Sequence, residues 1–122
     1  MPDKALEESV IELNFMYVAK NLPPDDVAPT MFNRFLLTDK EYEKYRSLRD
    51  TPKPDYEKSE YLLGCLLRRK AGFLREFCNI LKNIEPASHI ADHLELAYKE
   101  QAAKEGTDYI DTYKPLYRLN KG

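Results

Sequence analysis

The chain has few of the residues and segments that mark several large classes of protein. Its 122 residues include only two cysteines, four glycines and two histidines, and the formal net charge is −2. Two cysteines are too few for the disulfide framework of a small secreted domain. The glycines are scattered singly and form no phosphate-binding loop. A chain with so little net charge is a poor candidate for a general nucleic-acid-binding protein, which is basic on at least one face.

Targeting segments are also missing from the sequence. Met1 is followed by Pro2, Asp3 and Lys4 rather than by the apolar run of a secretory signal. Pro2 also occupies the position at which N-myristoylation requires glycine. No stretch approaches the roughly 18 apolar residues of a membrane span. These features predict a cytosolic or nuclear protein, with the cytoplasm as the expected compartment and no membrane partner.

The composition is that of one small helical domain with a highly charged surface. Hydrophobic residues make up 43% of the chain, enough for one core, and charged residues make up 33%. The charged fraction exceeds the roughly one quarter that is typical of globular chains. We predict a helical domain over residues 1–101, followed by a tail or a short additional helix over residues 102–122.

Apolar residues recur at helical spacing in six segments. The first covers residues 4–21 and ends before Pro23 and Pro24, which cannot donate the hydrogen bonds of a helix. The second begins near Asp25, with Pro29 near its first turn. Its predicted apolar face consists of Val27, Met31, Phe32 and Phe35.

The remaining four segments follow at short intervals. Thr38 is the predicted N-cap of the third helix, and Glu41 completes a capping box with it. The fourth helix is predicted over residues 56–70, and Gly72 marks the turn into the fifth. The sixth begins near Ser88 and extends to about residue 101. Six short amphipathic helices with brief connections predict an all-α, antiparallel six-helix bundle.

The order and motifs of these helices resemble the caspase recruitment domain of the death-fold superfamily. The resemblance covers most of the chain, residues 5–98, and lies in four motifs. They are FLLTDKEYE at residues 35–43, LLGCLL at residues 62–67, FLREF at residues 73–77 and HIADHL at residues 89–94. The resemblance implies a bundle with Greek-key topology.

The resemblance also implies a function. It predicts a homotypic interaction module, not an enzyme, that binds another domain of the same family. That partner would belong to a caspase, an apoptosome-like ATPase, a nucleotide-sensing receptor or an adaptor in apoptotic or inflammatory signalling. Self-association into an oligomer or filament is a further expectation, because contacts between unlike patches need not close on themselves.

Two groups of charged residues are the predicted binding surfaces. The acidic patch, on the second and third helices, consists of Asp25, Asp26, Asp39, Glu41 and Glu43. Asp39, Glu41 and Glu43 are expected to face water. The basic patch consists of Arg68, Arg69 and Lys70, which end the fourth helix, and Arg75 in the fifth. Complementary charges steer encounter and fix register between partners.

Candidates for chemistry are weak, so no cofactor, metal or catalytic residue is predicted. His89 and His93 share a helix face at a metal-ligand spacing, but Ile90 stands where a zinc-protease motif requires glutamate. Cys65 and Cys78 lie in apolar runs and are expected to be buried free thiols. The alternative function is a small nucleic-acid-binding domain that uses the basic patch together with Lys82. A metal-dependent hydrolase built on the two histidines is a third, weaker alternative.

Overall fold

The computed structural model describes residues 3–106, and that part of the chain is helical without a strand. The helices are α1 Lys4–Leu13, α2 Phe15–Asn21, α3 Pro24–Asn33, α4 Asp39–Arg49, α5 Asp55–Leu66, α6 Phe73–Lys82 and α7 Ser88–Gly106. A short 3-10 helix, Glu85–Ala87, precedes α7. The predicted all-α class is therefore confirmed.

The first predicted helix is broken into α1 and α2 at Asn14, so the prediction of one continuous helix over residues 4–21 is wrong. The Asn14 side chain donates a 2.8 Å hydrogen bond to the carbonyl oxygen of Val10. Asn14 itself has φ −112° and ψ 15°, outside helical geometry. Asparagine side chains compete for backbone partners in this way and interrupt helices. The break lets α1 pack against α7 while α2 packs against α5.

Other helix boundaries also differ from the predictions. Pro29 lies inside α3 rather than in its first turn, because Pro24 begins that helix. Helix α5 ends at Leu66, so Arg68, Arg69 and Lys70 belong to the connection that follows it. Helix α7 extends to Gly106, beyond the predicted boundary at residue 101. Of the predicted tail or extra helix over residues 102–122, residues 102–106 belong to α7, and residues 107–122 lie outside the described residues.

One core joins the helices. Helix α7 packs against α1 and α6, while α3 contacts α4, α5 and α6, and α4 contacts α5. The largest fully buried side chains come from six of the helices: Ile11, Met31, Tyr45, Leu62, Leu63, Leu66, Phe77, Ile80, Leu81, Ile90 and Leu94.

Within residues 3–106 no helix is both long and apolar enough to cross a lipid bilayer. Residues 3–106 form seven α-helices, where the sequence predicted six.

Candidate functional site

Glu41 is the centre of an ion-pair network that ties α4 to the connection between α5 and α6. The predicted capping box is confirmed: the Thr38 N–H donates to Glu41 Oε1 at 2.8 Å, and the Glu41 N–H donates to Thr38 Oγ1 at 3.1 Å. Arg69 binds both carboxylate oxygens, at 3.1 and 3.2 Å. Arg68 donates to Oε2 at 3.1 Å. Such bidentate, charge-assisted bonds are the strong ones in proteins.

The environment of Glu41 favours its ionised form. Burial by itself would raise the pKa of the Glu41 carboxyl, but the hydrogen bonds from Thr38 and Arg68 and the charge of Arg69 outweigh burial. The net result is a Glu41 pKa below its ordinary value. The carboxylate is therefore held charged, with its partners within the same chain.

These contacts correct the expectation that Glu41 faces water. Glu41 is buried, with 8% of its surface exposed, whereas Asp39 and Glu43 are exposed as predicted. Two members of the predicted basic patch, Arg68 and Arg69, are the residues that neutralise it. One member of the predicted acidic patch is thus used inside the bundle.

The other predicted acidic residues do not form one continuous patch. Helices α3 and α4 are joined by a short connection, and the Tyr45 hydroxyl of α4 donates a hydrogen bond to Asp25 at the start of α3. Asp25 and Asp26 therefore lie at one end of this helix pair, and Asp39 lies at the other. Burial, together with the bond to Asp25, raises the pKa of Tyr45 far above its ordinary value.

The predicted basic residues are divided as well. Arg68, Arg69 and Lys70 line an open groove of about 530 Å³ together with Arg34, Phe35 and Glu76. Arg75 instead lines a second groove, beside Glu7, Glu95 and Tyr98. We define the basic corner as Arg34, Phe35, Arg68, Arg69 and Lys70.

Charge is unbalanced at the basic corner. Within residues 3–106, three of its four cations pair with two carboxylates: Arg34 lies 3.4 Å from Glu76, and Arg68 and Arg69 bind Glu41. Lys70 is exposed and forms no ion pair within residues 3–106. The Arg68 side chain keeps 62% of its surface exposed even while it binds Glu41. The corner therefore presents positive charge to solvent.

Phe35 is the unexpected member of the basic corner. It follows the end of α3 with φ +64°, and no other non-glycine residue among residues 3–106 has a positive φ. The Phe35 N–H binds the Phe32 carbonyl at 3.1 Å, and the Leu36 N–H binds the Met31 carbonyl at 2.8 Å. This is the Schellman pattern, in which glycine usually occupies the left-handed position. A residue with a Cβ atom costs roughly 1–2 kcal/mol there.

The prediction that Phe35 belongs to the apolar face of the second helix is wrong. Phe35 is 87% exposed, while Met31 and Leu36 beside it are buried. Helical spacing indicated an inward position because no glycine marks the end of α3 at Asn33. For that reason the sequence did not identify Arg34 and Phe35 as candidate site residues. A non-glycine residue in the left-handed conformation carries no sequence signal of its own.

The histidine and cysteine side chains that the sequence offers as candidates for catalysis or metal binding make contacts within the fold. The His93 ring lies 4.3 Å from the Tyr17 ring, centre to centre, and its Nε2 is 2.9 Å from Asn14 Oδ1. Both cysteines are buried and free, as predicted. Burial raises the pKa of the Cys65 thiol, and it raises that of Cys78 to about 12. No group of three metal-ligating side chains occurs within the part of the chain that the structure describes.

Comparison of the chain with protein-family models, curated proteins and solved structures finds no match. The side chains of the basic corner are therefore the basis for a functional hypothesis.

Proposed function

We propose that this chain is a protein-interaction module of the caspase-recruitment type. Its partner would be a related domain of a caspase, an apoptosome-like ATPase, a nucleotide-sensing receptor or an adaptor, in apoptotic or inflammatory signalling. The all-α bundle, with α1 packed against α7, is compatible with the death-fold topology that the sequence motifs imply. The main support for the proposal is the positive charge that the basic corner presents to solvent.

The basic corner has more positive charge than the fold itself requires. Arg69 is mostly buried, with 18% of its side chain exposed, and it has a structural role in holding Glu41. Lys70 has no such role, because its side chain is exposed and unpaired within residues 3–106. Unpaired surface charge is well suited to steering an acidic partner into register.

Separated acidic residues supply the complementary surface. Asp26 and Glu43 are exposed and form no ion pair within the described residues. Asp25 is exposed too, and it accepts a hydrogen bond from the neutral hydroxyl of Tyr45. A related domain with a similar distribution of charge would offer carboxylates to the basic corner of this chain.

A binding experiment with one charge reversal tests the proposal. The immobilised chain is presented with a panel of purified caspase recruitment domains at physiological ionic strength and at low ionic strength. We expect binding to at least one domain, weakened by salt, and a loss of roughly tenfold or more in affinity for Lys70→Glu. Lys70→Glu is preferable to reversal of Arg69, which would leave Glu41 buried without its main partner.

The matched control is Lys20→Glu. Lys20 is an exposed lysine in the last turn of α2, so the substitution changes the net charge equally. It lies far from the basic corner, because the end of α2 meets the first half of α5 through the bond from Ser59 to Leu22. An equal loss for both variants would reject a role for the basic corner. The absence of binding to any panel member and of self-association would contradict the proposed function.

A further inference from the structure

An open groove of about 510 Å³ lies between α6 and α7. Its volume is within the range of roughly 300–1,000 Å³ that is typical of ligand sites. Leu74 and Cys78 form its buried floor, and the half-buried Tyr98 stands beside them. Together with the cations Arg75 and Lys99, these residues are what we call the α6–α7 groove. The groove combines an apolar floor with positive charge.

The carboxylates that line this groove already have partners, but its two cations do not. The Glu7 carboxylate accepts hydrogen bonds from backbone N–H groups at the start of α6, and Glu95 pairs with Lys82 at 2.6 Å. Arg75 and Lys99 are exposed and form no ion pair within residues 3–106. An occupant of the groove should therefore present carboxylates next to apolar side chains.

A short segment of this chain has that chemistry. Residues 107–122 lie outside the described residues, and their sequence contains two carboxylates, Asp108 and Asp111. These aspartates flank Tyr109 and Ile110, so residues 108–111 read Asp-Tyr-Ile-Asp. Residues 112–122 contain lysine and arginine but no aspartate or glutamate. The match to a positively charged groove is therefore confined to residues 108–111.

The same segment is close enough along the chain to reach the groove. Gly106 ends α7, and glycine is the residue at which a chain most readily turns back after a helix. Lys99 and Glu95 precede Gly106 by about 10 and 16 Å along the axis of α7. An extended chain covers about 3.3 Å per residue, so Asp111 can lie up to about 16 Å from Gly106. A chain that reverses at Gly106 thus brings residues 108–111 to the level of the groove.

We infer that residues 108–111 bind in the α6–α7 groove of the same molecule. Their two aspartates face Arg75 and Lys99, and Tyr109 and Ile110 pack over the apolar floor. A short tether gives the segment an effective concentration on the order of millimolar, so a competing segment of equal affinity needs a similar concentration to displace it. The groove is then a site for acidic, aromatic segments that the chain itself keeps covered. The inference does not rest on the proposed function, because the groove and the basic corner are different sets of residues.

Tryptophan fluorescence tests the docking, because the chain contains no tryptophan of its own. The full chain carries Tyr109→Trp as a reporter, and acrylamide quenching measures the access of solvent to the indole. We expect a shielded indole in the folded chain and an accessible one after Arg75→Glu and Lys99→Glu are added. Opposed like charges should lower the docking equilibrium constant roughly tenfold or more. Ile110→Trp provides a second, independent reporter.

A charge exchange separates docking from damage to the fold. Asp108→Lys with Asp111→Lys should also release the indole of the reporter chain. Combining these two changes with the reversals of Arg75 and Lys99 should restore shielding, whereas damage to the fold would accumulate. The matched control is Lys20→Glu with Lys40→Glu, which changes the net charge equally at two exposed lysines of α2 and α4. It should leave the quenching unchanged.

Three results would overturn the inference. The first is an indole that is as accessible to acrylamide in the folded chain as in urea. The second is shielding that survives the reversals of Arg75 and Lys99, or that the charge exchange does not restore. The third is shielding that rises with protein concentration, because a second copy would then supply the segment. None of these results bears on the proposed function, which is tested at Lys70.

Discussion

Glu7 and Glu41 are both buried glutamates that join distant parts of the chain, but their carboxylates are satisfied in different ways. Glu41 is neutralised by Arg68 and Arg69. Glu7 is 2% exposed, and within residues 3–106 its carboxylate accepts hydrogen bonds from backbone groups alone: the Gly72 N–H, at 2.9 and 3.1 Å, and the Leu74 N–H, at 3.1 Å.

The difference shows how one residue type serves two structural purposes. The N-cap position of α6 is Gly72, which has no side chain to bind the first N–H groups of that helix. Glu7 supplies the missing acceptor from α1, and its negative charge also suits the positive end of the α6 dipole. Arg68 and Arg69, the partners of Glu41, have long side chains that can turn toward water if the Glu41 carboxylate is removed. The backbone groups bound by Glu7 cannot move in that way.

The largest effect is expected for Glu7→Ala. The substitution leaves buried N–H groups at the start of α6 without an acceptor, which should cost about 3 kcal/mol of unfolding free energy. Glu7→Gln keeps one acceptor oxygen and should cost less. Urea unfolding followed by circular dichroism measures both values. A smaller loss of unfolding free energy for Glu7→Ala than for Glu41→Ala would contradict this ranking of the two glutamates.

A somewhat smaller loss, about 2 kcal/mol, is expected for Glu41→Ala. It removes the capping-box acceptor and leaves Arg69 partly buried without its carboxylate. Glu43→Ala is the matched control, because Glu43 is an exposed glutamate two positions along the same helix. It should change stability by less than about 0.5 kcal/mol. Similar values for the two variants would show that the network around Glu41 contributes nothing.

The pH dependence of stability gives a finer test of Glu41. Its pKa in the folded protein lies below the ordinary value of 4.5, so the unfolded state binds the proton more readily. The stability that ionised Glu41 contributes is therefore fully present above pH 4.5 and is lost as the pH falls through the lowered pKa. The stability difference between wild type and Glu41→Gln should narrow over that acidic range. A difference that is constant from neutral to acidic pH would contradict the assignment.

The parts of the fold that depend on neighbouring residues could be predicted from the sequence. The capping box of Thr38 and Glu41 spans three residues, and its chemistry is complete within that span. The apolar spacing within residues 56–70 likewise indicates that Leu62, Leu63, Leu66 and Leu67 face inward. The first three are buried, and Leu67 is half-buried against the core.

Features that depend on distant partners could not be predicted. The second use of Glu41 requires Arg69, 28 residues away, and the use of Glu7 requires Gly72, 65 residues away. A glutamate in the first turn of a helix carries the same local signal whether it faces water or another helix. Phe35 was misplaced because a hydrophobic residue continues the period of α3 even where the helix has already ended.

The bond between Glu7 and the start of α6 has a consequence for the order in which the chain folds. During synthesis α1 emerges before α6 and α7, so its buried carboxylate has no partner until Gly72 and Leu74 emerge, and its packing partner α7 comes later still. We expect α1 to be among the last of these helices to dock. Pulse-labelling hydrogen exchange during refolding should show late protection of the Leu74 amide, and early protection would contradict this order.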